Sequence, residues 1–326
     1  MPSRWREFGD SSYELSHTRD MTTELPPGPT ANPPAQVPPP EDATARGTYR
    51  YLRVAPPIIA AFLFTGVAVA SFQGWAIQTS ISAYYYTPAH SVFIAALCAI
   101  GVCLIVNQGN SRSEDILLNF AGFFAFIVAM VPTGAGVKNE AIEQSLNGHA
   151  TLVYDTQPGI FNNVLAIAVA AVITQIVRAK LSVKAGEPTD LAKTTDPWPR
   201  RWFFIGSLVL AVLAAWALFS GPTFRTHGHN VSAVTMFVFI LFVMWSNWRA
   251  TRSDPTNAYA GAYRRIAFAL VGTLVLLIGA WFLLGSYTVI VAEFVLIAEF
   301  AIFWIVQSRE LWDVESRPLR AVTTTP

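Results

Sequence analysis

Charged residues and cysteines are scarce in this sequence. Of its 326 residues, 13% are charged and 53% are hydrophobic, whereas soluble domains usually carry roughly 25% charged residues. The formal net charge is +1 and no basic block is present, which excludes a chain that binds nucleic acid through a basic surface. The two cysteines, Cys98 and Cys103, share one apolar run and would point about 140° apart on a helix, so they do not bridge each other.

The apolar residues form runs of about twenty, the length that crosses the roughly 30 Å hydrocarbon layer of a bilayer. They predict an all-α fold, a polytopic transmembrane helical bundle of about eight spans surrounded by the lipid bilayer. The transmembrane domain is expected over residues 55–306, with a short cytoplasmic tail, 307–326, after it. The predicted spans are residues 55–78, 90–107, 116–134, 160–177, 202–220, 230–248, 266–284 and 287–306.

The first 54 residues have a different composition. Nine of the 21 prolines lie in the first forty residues, and proline interrupts helix hydrogen bonding and favours extended conformations. Few large apolar side chains are present, so the segment has little surface to bury. We expect residues 1–54 to form a disordered, proline-rich cytoplasmic tail, and we expect no cleaved signal peptide because the first apolar run starts near residue 55.

Basic residues are distributed unevenly between alternate loops. With the N-terminus inside, the inner segments carry 17 Lys and Arg besides three in the distal tail, and the outer loops carry only Lys138 and Arg225. Inner loops of membrane proteins are enriched in basic residues. We therefore expect a multi-pass protein of the plasma membrane with both termini in the cytoplasm.

Two acidic residues, Glu293 and Glu299, lie within predicted spans, and both belong to the last span. At 1.5 Å per residue, they are about 9 Å and 18 Å from its outer end. A carboxyl group near the middle of a span costs about 2.5–3.5 kcal/mol, so we expect both to face the bundle interior or a cavity. Glu293 lies level with polar residues at the outer ends of other spans, which makes it the first candidate for a functional acid.

Polar and aromatic residues gather near the outer ends of the spans. His90 starts the second span. It follows Thr87, which suits the N-cap position, and Pro88, which suits the first turn. His229 precedes the sixth span. Residues 80–87, the tyrosine segment, carry three consecutive tyrosines that suit either an aromatic belt with hydrated hydroxyls or a loop that contacts a lipid or ligand. The candidate pocket residues are Ser82, Tyr84, Tyr86, His90, His229, Glu293 and Glu299.

Histidine and carboxylate groups are potential zinc ligands, and His149 or His227 could add a third nitrogen to this set. However, the sequence contains no HExxH motif and no histidine pair four residues apart. No metal site is therefore assigned, and any cofactor remains unknown. A GxSxG elbow, a phosphate-binding glycine loop and a dinucleotide fingerprint are also absent from the sequence, so no catalytic residue is assigned.

The tyrosine segment reads Ser80-Ile-Ser-Ala-Tyr-Tyr-Tyr-Thr87 and precedes Val92-Phe93. It resembles a signature of bacterial, largely actinobacterial, multi-spanning integral membrane proteins without an assigned activity, although His90-Ser91 stands where that group has Arg-Asp. The chain is more distantly similar to transmembrane zinc hydrolases of the ceramidase and progestin-receptor type. It lacks that family's HxxxH pair, so the family's metal site is not carried over. The first resemblance covers residues 55 to about 310, and its further matches are Glu114-Asp115, Val131-Pro132-Thr133, His229 and Glu293.

These features favour a membrane protein that binds a lipid or small molecule in an outward-facing polar pocket over an enzyme. A proton-coupled transporter is the first alternative, because Glu293 and Glu299 lie in one span. A membrane-embedded, metal-dependent hydrolase that uses the histidines with Ser82 or Ser91 is the second. A partner protein within a larger membrane complex is a further possibility.

The predicted topology determines which loops a reagent can reach. A cysteine introduced by Ser145→Cys should react with a membrane-impermeant maleimide on intact cells, because its loop is expected outside. A cysteine introduced by Thr189→Cys should react only after lysis. The parent chain is the control, because it measures the background labelling of the two native cysteines. The opposite pattern would overturn the orientation.

Overall fold

The computed structural model describes residues 40–73, 77–107, 109–133, 157–184, 197–252, 257–283 and 287–312. Within them the chain forms eight α-helices, one 3-10 helix and no strand, which confirms the expected all-α bundle. The predicted tail before residue 40, the loop with His149 and residues 313–326 lie outside the described residues. The helices are α1 (Pro40–Phe72), the 3-10 helix (Ser82–Tyr86), α2 (His90–Val106), α3 (Arg112–Met130), α4 (Gln157–Lys184), α5 (Trp198–Phe219), α6 (Gly221–Arg252), α7 (Ala260–Leu283) and α8 (Tyr287–Glu310).

Six helical segments in the described part of the chain are long and apolar enough to cross a membrane. The 17 residues of α2 and the segment Gly159–Thr174 of α4 are shorter but also apolar, close to the lower limit of about 17 residues for a span. The chain is a multi-pass integral membrane protein. The six long segments are Gly47–Phe72, Arg112–Met130, Trp198–Phe219, Gly221–Arg252, Ala260–Leu277 and Val289–Glu310.

The first helix begins earlier than the composition predicts. It starts at Pro40, so residues 40–54, which were expected in the disordered tail, are helical. Contacts with α8 and the residues after it hold the last part of this segment: Arg50 Nε donates to the carbonyl oxygen of Trp312 at 2.9 Å, and Ser308 Oγ donates to the carbonyl oxygen of Arg53 at 3.1 Å. These contacts join residues about 260 positions apart in the chain, so the composition of the segment alone does not reveal them.

The sixth helix also begins earlier than expected. It starts at Gly221, and Pro222 lies in its first turn, where a missing N–H breaks no helical hydrogen bond. His227 and His229, which were expected in a loop before the span, are therefore residues of α6. His227 is exposed, whereas His229 is buried.

The backbones of α2 and α3 touch where the two helices cross. A Cβ atom added to Gly122 would lie 2.6 Å from the carbonyl oxygen of Gly101, and one added to Gly101 would lie 2.9 Å from that of Gly122. Small residues at such crossings let membrane helices approach closely. Of the six long segments, α3 is the most enclosed, with 72% of its apolar window buried against 11% for α5.

A buried polar network joins α3, α6 and α8 at the end of the bundle that carries Arg112 and Arg249, here called the basic end. Oε1 of Glu114 accepts hydrogen bonds from Asn247 Nδ2 and Gln307 Nε2, both at 2.8 Å. All three side chains are at most 2% exposed. Because a buried carboxyl group requires hydrogen-bond partners, this network favours one register among the three helices.

The crossing of α2 and α3 predicts that Gly122→Ala is destabilising. The added methyl group meets a backbone oxygen that cannot rotate away, so we expect a loss of about 1–3 kcal/mol, seen as a lower Tm of the protein in detergent. Gly272→Ala in α7 is the matched control, since nothing lies within 4 Å of its added Cβ and alanine is the better helix former. Equal melting temperatures for the two variants would contradict the close crossing.

Candidate functional site

Glu293 of α8 binds the start of the 3-10 helix. Its Oε2 atom accepts a hydrogen bond from the backbone N–H of Ile81 at 2.5 Å, and its carboxyl group also accepts from the backbone N–H and the hydroxyl of Ser82. The first N–H groups of a helix have no acceptor within that helix, and hydrogen bonds to a carboxylate are stronger than those between neutral groups. Glu293 therefore fixes the tyrosine segment to α8.

Hydroxyl groups hold the tyrosine segment in its tight conformation. Ser80 Oγ accepts from the N–H of Ala83 at 3.1 Å. Thr87 Oγ1 donates to the carbonyl oxygen of Tyr84 at 2.8 Å and accepts from the N–H of Ala89 at 3.2 Å. Ala89, instead of Thr87, occupies the N-cap position of α2, because Thr87 is engaged in the turn that ends the 3-10 helix.

The hydroxyls of Tyr84 and Tyr86 point into the protein. The hydroxyl of Tyr84 lies 2.8 Å from Ser71 Oγ of α1, and the hydroxyl of Tyr86 donates to the carbonyl oxygen of Thr133 at 2.8 Å. Tyr84 is 1% exposed and Tyr86 is 7% exposed. Burial and the neighbouring Tyr85 raise the pKa of the Tyr86 hydroxyl, so this group stays a neutral donor. The segment thus ties α1, α3 and α8 together.

The two candidate histidines also bind backbone carbonyl groups. His229 Nδ1 lies 2.6 Å from the carbonyl oxygen of Val131 at the end of α3, and His90 Nδ1 lies 2.6 Å from that of Tyr85. Because a carbonyl oxygen can only accept, Nδ1 carries the proton in both rings. The His90 ring also meets the ring of Tyr85 edge-on, with centroids 4.3 Å apart.

The structure brings some of the predicted site residues together and separates others. Ser82 and Glu293 are in direct contact, and Tyr86 and His229 bind carbonyl groups two residues apart near the end of α3. Glu299 has a different neighbour, since its Oε1 atom accepts from Thr273 Oγ1 of α7 at 2.9 Å. In the described part of the chain, no group of three His, Cys, Asp or Glu side chains is placed to hold a metal ion.

The sequence reasoning overlooked the polar network around Glu114. The sequence contains a pattern that points to Glu114: a capping box, in which a serine is followed three residues later by a glutamate at the start of a helix. Ser111 Oγ indeed accepts from the N–H of Glu114 at 3.2 Å. The glutamate side chain accepts from the N–H of Asn110 at 2.9 Å in addition to the amide groups of α6 and α8.

An apolar cavity of about 380 Å³ opens between α3, α4 and α5, with Phe224 of α6 at one end. Four alanines on the facing sides of α4 and α5 leave this space because their side chains are short. Among the lining residues that the structure describes, Ser207 alone carries a polar side-chain group. They are Phe120, Phe123, Ile127, Val164, Ile167, Ala168, Ala171, Val172, Ser207, Leu210, Ala211, Leu213, Ala214 and Phe224.

No protein-family model, no curated protein and no solved structure matches this chain. The resemblance of the tyrosine segment to the actinobacterial group therefore stays a prediction.

The contacts of the two glutamates predict different effects of replacing each carboxyl group by an amide. Glu293→Gln keeps one acceptor oxygen but places an amide donor against the donors of Ile81 and Ser82, so we expect a loss of about 1–3 kcal/mol. Glu299→Gln keeps an oxygen for Thr273 and should cost less. Melting curves of both variants in the same detergent measure the difference. A Glu293→Gln protein as stable as the parent, or a larger loss for Glu299→Gln, would contradict this assignment.

Proposed function

We propose that this protein binds a membrane lipid and holds one of the lipid's apolar chains in the cavity between α3, α4 and α5. The observation that supports this function is the apolar lining of a 380 Å³ space among membrane-spanning helices. Its volume falls within the range of about 300–1,000 Å³ that is typical of ligand sites. A lining with one hydroxyl selects an apolar ligand, and lipid chains are the apolar molecules that surround such helices.

The shape of the cavity favours a chain over a compact molecule. Its α4 wall runs from Val164 to Val172 along one helix face, a distance of about 12 Å at 1.5 Å per residue. Its α5 wall runs from Ser207 to Ala214, about 10 Å. Empty apolar space loses the dispersion contacts of its lining, so an inserted chain restores contacts along the length of both helices.

The polar residues predicted to line an outward-facing pocket have a different proposed role. The side chains of Tyr86, His229 and Glu293 bind backbone groups of neighbouring elements, and the Ser82 hydroxyl donates to the Glu293 carboxyl group. These contacts favour a role in holding the fold, so we place the lipid in the apolar cavity and not beside the tyrosine segment.

Proton-coupled transport through Glu299 is a second candidate function. One oxygen of this carboxyl group accepts from Thr273, and the other, Oε2, is buried without a partner among the described residues. A buried polar atom without a partner is costly, and acidic groups inside spans often belong to proton relays.

Proteoliposomes containing a pH-sensitive dye would show a proton flux that Glu299→Gln abolishes, and identical flux from both proteins would exclude this role.

Filling the cavity tests the lipid-binding function. Ala168→Phe places a ring in the space and should lower the lipid-bound fraction about tenfold, since displacing two methylene groups costs about 1.6 kcal/mol. The fraction is measured by native mass spectrometry after delipidation and addition of phosphatidylcholine. Ala170→Phe is the matched control on the same helix, because Ala170 is exposed and does not line the cavity.

Reduced lipid retention in Ala168→Phe with unchanged retention in Ala170→Phe would support the chain site. Equal retention by the parent and both variants would overturn it.

A further inference from the structure

A second cavity, of about 460 Å³, lies at the basic end between α3, α5 and α6. It differs from the apolar cavity in chemistry, because two arginines and three serines line it together with aromatic side chains. We call it the arginine cavity. Its lining residues are Ser111, Arg112, Ser113, Leu117, Trp198, Pro199, Trp202, Phe242, Trp245, Ser246 and Arg249.

The charges of the arginine cavity are complementary to an anion. Arg112 and Arg249 reach it from two different helices, and none of its lining residues in the described part of the chain is acidic. Arginine binds phosphate oxygens through paired hydrogen bonds.

Two acidic residues near the arginine cavity accept hydrogen bonds from groups that do not line it. Glu114 accepts hydrogen bonds from Asn247 and Gln307 in the buried network. Asp115 Oδ1 accepts from the N–H of Gly109 at 2.6 Å. At the α5 wall the charge is again positive, since the Arg201 guanidinium lies 5.4 Å from the ring centroid of Trp198.

The other side of the arginine cavity is aromatic and apolar. The ring centroids of Trp202 and Phe242 are 4.5 Å apart, and Leu117 also lines the cavity. Tryptophan is enriched where the headgroups of a bilayer meet its hydrocarbon layer. A free phosphate ion would gain nothing from this wall, whereas the glycerol and first methylene groups of a phospholipid would pack on it.

We propose that the arginine cavity binds the phosphate headgroup of an anionic phospholipid from the leaflet that faces the basic end. Arg112 and Arg249 hold the phosphate, and Trp202 with Phe242 contacts the glycerol backbone. The proposal stands on a different cavity from the chain-binding site and does not depend on it. It adds a preference for lipid charge that the apolar cavity cannot provide.

The test measures binding of phosphatidylglycerol, phosphatidylcholine and inorganic phosphate to the full chain in neutral detergent. The double variant Arg112→Gln/Arg249→Gln should weaken phosphatidylglycerol binding by about tenfold or more, since each basic group near a membrane surface contributes about 1 kcal/mol. Phosphatidylcholine binding should change little. The matched control Arg264→Gln/Arg265→Gln removes two exposed arginines of α7 that do not line the cavity and should retain the parent affinity.

Equal losses in both double variants would indicate general attraction to basic charge and would overturn the site. Inorganic phosphate that protects the parent protein from melting as well as phosphatidylglycerol does would overturn the lipid assignment. If the arginine variant does not fold, Ser246→Glu and Ser246→Gln replace it, because both fill the same half-buried position and only the first adds a negative charge. Weaker phosphatidylglycerol binding by Ser246→Glu alone supports the proposal, and equal binding by the two overturns it.

Discussion

The close approach of α2 and α3 at Gly101 and Gly122 is the constraint on which the bundle depends. It lets one face of α3 pack backbone to backbone against α2, while Phe120 and Phe124 of α3 stack on Phe239 of α6. Two faces of α3 are thereby filled. The remaining face meets α4 and α5, whose short side chains do not fill the interface, and the apolar cavity follows from this difference.

The two cavities lie along the same helices but remain separate. The ring of Phe120 lines the apolar cavity but not the arginine cavity. Gly206 of α5 makes room for this ring, since a Cβ atom there would lie 2.3 Å from ring carbons. One cavity therefore offers charge and aromatic surface at the basic end, and the other offers an apolar space deeper among the helices. A lipid-binding function uses both kinds of surface, which a single water-filled pocket would not provide.

The sequence predicted the eight helices because long apolar runs are a local property that the bilayer imposes on each span. It also identified Glu293 correctly as a residue that faces inward, since a carboxyl group is too costly to expose to lipid. Its partners, Ile81 and Ser82, could not be predicted, because Ile81 lies 212 positions away from Glu293 in the chain. The apolar cavity was not predictable either, because alanines at helical spacing equally suit tight packing.

Crystals grown with phospholipids brominated in the acyl chain would test the central claim, that a lipid chain occupies the space between α3, α4 and α5. Anomalous scattering locates bromine independently of the surrounding density. The account predicts bromine peaks within contact distance of Phe123, Ala168 and Ala211, lost in crystals of Ala168→Phe. Bromine peaks only on the outer surfaces of α4 and α5, with the cavity closed by its own side chains, would contradict it.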